Sequence, residues 1–164
     1  MRKKRNYARV RKPDVKYGDI ALGRFINYLM YGGKKSTAEK VVYDALEIVE
    51  KDTKKKGLEV FTAAIENASP LVETVSRRVG GANYQIPEEV RPERKFVLAA
   101  RWIIQATRGK KGKSTAEKLA EELMMAFKND GAAIKKKLDM HRMAEANRAF
   151  AHFARGAKKK QPQA

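Results

Sequence analysis

No cysteine occurs in the 164 residues, which removes disulfides, thiolate zinc sites and cysteine nucleophiles together. Histidine is nearly as scarce. His141 and His152 stand eleven residues apart on one expected helix, about three turns, beyond the reach of a shared metal ion. Long apolar runs are missing too: no segment is long enough to span a bilayer, and the basic N-terminus is not followed by the apolar stretch of a secretory signal. The last shortage is of negative charge, 19 acidic residues against 37 lysines and arginines, for a formal balance of +18. So much excess charge repels itself unless a polyanion neutralises it, so nucleic acid leads the expected partners, ahead of an anionic membrane surface. A cytoplasmic setting without a membrane partner or a cofactor is the expectation.

A hydrophobic content of 43% supplies material for one domain with a real core. The charge is concentrated at the start. Residues 1–12 hold seven cations, Arg2, Lys3, Lys4, Arg5, Arg9, Arg11 and Lys12, with Tyr7 among them and Pro13 closing the run. Charge this dense cannot bury a core, so residues 1–13 read as an arm, disordered when free, that orders only against phosphates. Residues 155–164 read as a basic tail, leaving 14–154 as a single helical domain.

Six helices are expected. Leu22, Phe25, Ile26, Leu29 and Met30 recur at helical spacing after Asp19, a possible cap, and before Gly32. A second stripe runs through Val41, Val42, Ala45, Leu46 and Val49; Ser36 and Glu39 have the spacing of a capping box at its start. The third carries Leu58, Phe61, Ile65 and Ala68 and stops at Pro70. The fourth starts at Pro92, carries Phe96, Val97, Ala100, Ile103 and Ile104 with Trp102 in the core, and ends at Gly109. The fifth carries Leu119, Leu123, Met124 and Phe127 up to Gly131. A longer sixth is expected from Ile134 to Phe153, with Leu138, Met140, Met143, Ala144, Phe150 and Ala151 facing the core and the methionines as core filling. KSTAEK occurs twice, at 35–40 and 113–118, so two basic loops are expected to deliver two identically capped helix starts. Their free amides and upstream lysines suit a phosphate, although a capping box is also simply a folding signal.

Residues 71–92, LVETVSRRVGGANYQIPEEVRP, do not read as helix. Two extended runs flank Gly80-Gly81, a two-glycine turn that closes twisted antiparallel strands into a hairpin at about 72–90. The implied register pairs Val79 with Ala82, Arg77 with Tyr84 and Val75 with Ile86 on one face, and Arg78 with Asn83 and Ser76 with Gln85 on the other. A lone two-stranded ribbon is marginal in water, so this one must lean on helices at its base while its tip reaches outward. Arg77 and Arg78, the Tyr84 ring and the amides of Asn83 and Gln85 suit phosphates and unstacked bases. The other reading is a solvated surface hairpin.

Signs of catalysis are missing. Gly112-Lys113-Ser114 mimics the end of a phosphate-binding loop, but Thr107 stands where the first glycine is required, and a helix precedes it. Glu88-Glu89 and Glu121-Glu122 are expected at exposed positions with no acid/base partner. The chain is not expected to be an enzyme.

SRRVGGANYQIPEEVRP at 76–92, MHRMAEANRAFAHFA at 140–154 and GGKKSTAE at 32–39 resemble, in order and spacing, the most recognisable stretches of bacterial small-subunit ribosomal protein seven. The resemblance runs from the arm to about Phe153. It departs at Val75, where the family often has lysine, and at Glu88, where a small or aliphatic residue is usual; both weaken the positive field of the hairpin. The resemblance implies a mostly helical protein with a protruding β-ribbon that binds the 3′ major domain of small-subunit ribosomal RNA. It further implies nucleation of head assembly, a place at the subunit interface near exit-site transfer RNA and messenger RNA, and contacts with ribosomal proteins nine and eleven. Carried over by position, the RNA-facing candidates are the arm, Lys34, Lys35, Arg77, Arg78, Arg91, Arg94 and Lys113, with Gly80-Gly81 approaching the transfer RNA; Tyr84 joins them from its place on the ribbon. The rival reading is an architectural DNA-binding protein, whose β-ribbon would enter a minor groove, but this tip lacks an apolar wedge.

Overall fold

The α1 helix, Ile20–Leu29, begins where the Asp19 carboxylate accepts the Leu22 N–H at 2.6 Å, and every residue of its apolar stripe from Leu22 to Leu29 is buried. The structure is a computed structural model and describes residues 12–154. Most of the expected arm and the whole tail, 1–11 and 155–164, lie outside the described residues.

Five longer helices and a ribbon complete the chain: α2 Lys35–Thr53, α3 Gly57–Ala68, β1 Val72–Val79, β2 Ala82–Glu89, α4 Pro92–Gly109, α5 Thr115–Phe127 and α6 Ala132–Ala146, followed by a 3-10 helix, Arg148–Phe153. The fold is mainly helical, with one antiparallel hairpin, as expected. Helix α5 packs against α2, α3, α4 and α6, so Leu119, Ala120, Leu123 and Ala126 lie at the centre of the core. Around them sit Val42, Leu46 and Val49 of α2, Val60, Phe61 and Ala64 of α3, and Ala99, Ile103 and Trp102 of α4. Phe25 meets Phe61 edge to face at 5.3 Å, the favoured arrangement of two ring quadrupoles. Proline at the first position of α4 and the Pro70 stop after α3 act as expected, because proline supplies a helical φ but no N–H.

The chain enters the core through Asp14, which is buried. Its carboxylate accepts the Lys16 and Tyr17 N–H groups and, at 2.8 Å, the Tyr43 hydroxyl of α2. Burial first, then the bond to Asp14, pushes the Tyr43 phenol up to about 12. This knot anchors the root of the basic arm to α2.

Two expectations about helix ends are corrected. The two KSTAEK copies are not capped alike: Ser114 is the N-cap of α5 and accepts the Glu117 N–H, whereas α2 begins at Lys35, with Lys34 at its cap position and no side-chain cap. Gly32 and Gly33, both at positive φ, curl the chain so that Lys35 already bonds back to Gly33, which draws Ser36 into the first turn. Gly131 does not end α5, which stops at Phe127, but serves as the N-cap of α6.

The sixth helix is also shorter than expected. It ends at Ala146, where the Asn147 amide turns back to the Met143 carbonyl at 2.8 Å. A 3-10 helix repeats every three residues, so Phe150 and Phe153 fall on one side, with ring centroids 5.0 and 5.8 Å from that of Tyr84 on β2. Of the expected core positions Ala144 is buried and Met140 and Phe150 are half-buried, but Leu138 and Met143 are 56% and 48% exposed and Ala151 is exposed. Core filling by methionine therefore holds for Met124 and Met140, which flank the core, and fails for Met125 and Met143.

The ribbon has the expected register throughout, from Val72 opposite Glu89 to Val79 opposite Ala82, and both Gly80 and Gly81 have the positive φ that this tight turn requires. Its root is held by α6. Ile86 is fully buried, Thr74 touches the Met140 sulfur, and the Leu71 N–H donates to His141 Nε2 at 3.1 Å. His141 must be neutral to accept that bond, and burial followed by the Lys137 ammonium holds its pKa below the ordinary 6.5. The unfolded chain takes up a proton near that value and the folded chain only lower. The contribution of His141 to stability is therefore complete above about 6.5 and is lost as the pH falls through the window down to the folded value. Urea denaturation from about pH 7.5 to about pH 5.5 should show a larger drop in wild type than in His141→Gln, whose amide oxygen still accepts. Equal drops would assign the pH dependence to other groups.

Candidate nucleic-acid interface

The candidate cations fall into two sets. Arg78, Arg91 and Lys34 are exposed and make no ion pair among the described residues. The others face carboxylates of their own chain. Lys35 lies 3.5 Å from Glu39 one turn along α2, Arg94 lies 3.3 Å from Glu73 of β1, Arg77 pairs with Glu88 across the ribbon, and Lys113 pairs with Glu121. The Glu121 pairing raises the Lys113 pKa and lowers that of Glu121, the direct hydrogen bond being the first cause for both.

Strand alternation separates the two ribbon arginines. Arg77 shares its face with Val75, Tyr84 and Ile86, the side that closes on the 3-10 helix, and is half-buried; Arg78 stands on the opposite face with Asn83 and Gln85, and all three are exposed. Tyr84 packs against Phe150 and Phe153, so it supports the ribbon rather than standing open as a stacking ring. Arg91 is the residue before Pro92, at the N-cap of α4, and projects from the ribbon root.

The two helix starts that follow the basic loops line one cavity. A cavity of about 280 Å³ is lined by Tyr31, Lys34, Thr37 and Ala38 at the start of α2, by Thr115 at the start of α5, and by Arg108, whose guanidinium donates to the Leu29 carbonyl at 3.1 Å. A second cavity, about 290 Å³, is lined by Lys12, Arg24, Asn27, Lys35 and Glu39, where the described residues begin. Lys34 and the starts of α2 and α5 thus line one cavity, and Lys12, Arg24 and Lys35 line another.

In the loop between α4 and α5 the ammonium of Lys110 turns inward to Glu122, 2.9 Å away, and Lys111 is the exposed lysine without an ion pair among the described residues. Contrary to expectation, Glu122 is not exposed but fully buried: its second oxygen accepts the Ala133 N–H at 3.0 Å, satisfying the first turn of α6. The place of Glu122 between Leu119 and Ala126 on the apolar stripe of α5 is visible in the sequence, but the Lys110 and Ala133 partners that let a carboxylate stay buried there are set by the fold alone. Lys111 carried no pattern signal, because only the fold decides which lysine of a run turns inward.

Among the described residues no group of three or more histidine, aspartate or glutamate side chains could hold a metal, and no helix is long and apolar enough to cross a membrane.

Three relatives named small ribosomal subunit protein uS7 illustrate the likeness. That of Fervidobacterium nodosum is 56% identical over 153 residues, 93% of this chain and 99% of that protein. That of Thermosipho melanesiensis is 57% identical over the same shares. That of Methylorubrum extorquens is 55% identical over 141 residues, 86% of this chain and 90% of that protein. The profile of ribosomal protein S7p/S5e matches residues 1–148, so α1 to α6, the ribbon and the basic N-terminal residues fall within the match, and the chain belongs to the ribosomal protein S7p/S5e family.

Proposed function

We propose that the chain is a structural, non-enzymatic constituent of the small ribosomal subunit in the cytoplasm, and that it binds the 3′ major domain of small-subunit ribosomal RNA and nucleates assembly of the subunit head. Family membership over residues 1–148 is the observation that carries this reading. The charge of +18 supports it, as does the lining of one cavity by Lys34 with the two helix starts and of another by Lys12, Arg24 and Lys35. In this reading residues 1–13 are an arm that wraps RNA, 14–154 the folded domain, and 155–164 a basic tail. The arm supplies most phosphate contacts through Arg2, Lys3, Lys4, Arg5, Arg9 and Arg11. Lys34, Arg78 and Arg91 meet phosphates directly; Lys35, Arg77, Arg94 and Lys113 do so only by leaving a carboxylate. The tip at Gly80-Gly81 reaches toward exit-site transfer RNA and messenger RNA, with ribosomal proteins nine and eleven as neighbours.

The test is binding to a transcript of the 3′ major domain and to a DNA duplex of equal length across a salt series. A preference for the transcript that survives high salt is expected, because shape and 2′-hydroxyl contacts outlast the counterion term. Arg78→Ala should weaken binding and flatten the salt slope by about 0.7 to 0.9, the share of one phosphate, without loss of helicity. Equal affinities for RNA and DNA that vanish together would leave a mere polycation and reopen the DNA-architectural reading.

A further inference from the structure

We propose that Glu88 is a selectivity residue: by holding Arg77, it keeps one of the two ribbon arginines from nucleic acid of arbitrary sequence. This rests on the RNA-binding reading above. The Arg77 and Glu88 side chains are 26% and 28% exposed, on the ribbon face closed by the 3-10 helix, while Arg78 next door is open and has no ion pair among the described residues. The pairing does not follow from register alone. Arg77 stands opposite Tyr84, and Glu88 opposite Glu73, so two carboxylates face each other across the strands. Such an opposition is repulsive unless each acid has a cation, and each has one: Arg94 for Glu73 and Arg77 for Glu88.

A free guanidinium adds to non-specific affinity by releasing a counterion from the phosphate it meets, and a guanidinium already neutralised by a half-buried carboxylate adds little. A phosphate approaching Arg78 displaces only water, whereas one approaching Arg77 must displace Glu88. Glu88 therefore lowers affinity for arbitrary strands more than for a folded RNA whose contacts are numerous and preset, and so widens the ratio between them.

The experiment measures binding of the full chain to poly(U) and to the 3′ major domain transcript across a salt series, for wild type, Glu88→Gln and Glu89→Gln. Glu89 is exposed, lies on the other ribbon face and makes no ion pair among the described residues, so its replacement makes the same change in net charge without freeing an arginine. Glu88→Gln should bind poly(U) about two- to fivefold more tightly at low salt and steepen the salt slope by about 0.7. Glu89→Gln should leave the slope unchanged, and the transcript-to-poly(U) ratio should fall for Glu88→Gln alone. In an Arg77→Ala background the gain should disappear. Glu88→Asp, which withdraws the carboxylate by one methylene at constant charge, should gain in the same direction and serves if the glutamine variant folds poorly. Equal gains from both glutamines, or a gain that persists without Arg77, would overturn the proposal. Failure of the RNA-binding reading is distinguishable, because it appears as wild type showing no preference for the transcript.

Discussion

Glu122→Ala will lower the free energy of unfolding by about 3–5 kcal/mol, a large share of the roughly 5–15 kcal/mol that a domain of this kind possesses. The carboxylate is fully buried at the centre of the bundle, one oxygen on the Ala133 N–H and the other 2.9 Å from the Lys110 ammonium. Removing it leaves the Lys110 ammonium, whose Nζ is out of contact with water, with only the Glu121 carboxylate at 3.8 Å, and leaves an N–H of the first turn of α6 without a partner. Gly131, which opens α6 beside the carboxylate, is held at a φ of 99°, and a Cβ there would lie 3.0 Å from Met125 Cβ and 3.1 Å from Glu122 Oε1. Glu121→Ala, one residue earlier, removes a solvent-screened pair with Lys113 and a 3.8 Å contact with Lys110, and should destabilise far less. Urea denaturation followed by circular dichroism separates the two. Similar small losses would show that the buried pair is no structural centre. The change should reach the interface as well, since Lys110 pins the loop that presents Lys111 and Lys113.

Deletion of residues 1–11 should weaken binding to the ribosomal transcript on the order of a hundredfold at moderate salt, with no loss of folded stability. Six cations leave with the segment, Arg2, Lys3, Lys4, Arg5, Arg9 and Arg11. Each phosphate contact they make contributes about 0.7 to 0.9 to the slope of log affinity on log salt, so the truncated chain should show a slope shallower by up to about 4 to 5. Cutting before Lys12 leaves the Asp14 anchor intact, with its bonds to the Lys16 and Tyr17 N–H groups and to Tyr43. A truncated chain with an unchanged slope would mean that the arm meets no phosphate, and the Lys34, Arg78 and Arg91 surface would then have to account for binding alone.

The helices and the ribbon were largely legible because their signals are local. Apolar residues at helical spacing mark α1 to α5, Pro92 starts α4, and two adjacent glycines set a register that every strand pair obeys. The cations were legible too, but not their state. Of the seven folded candidates with positive side chains, Lys35, Arg77, Arg94 and Lys113 are paired with acids. Only the Lys35–Glu39 pair lies at helical i,i+4 spacing; the others join residues eight, eleven and twenty-one apart.

By itself the sequence determined the class of partner and the secondary-structure plan, since composition sets net charge, and periodicity with turn chemistry sets which segments become helix or strand. Tertiary structure alone decided that identical KSTAEK segments cap differently, that the last helix breaks at Asn147, that Glu122 is buried and that Arg77 is closed while Arg78 is open. The physical reason is common to all four. Each depends on which groups the packed core places within hydrogen-bonding or van der Waals reach: Gly33 curling back on Lys35, Tyr84 receiving Phe150 and Phe153, α6 offering its first amides to Glu122, and Glu88 reaching Arg77 along a paired ribbon.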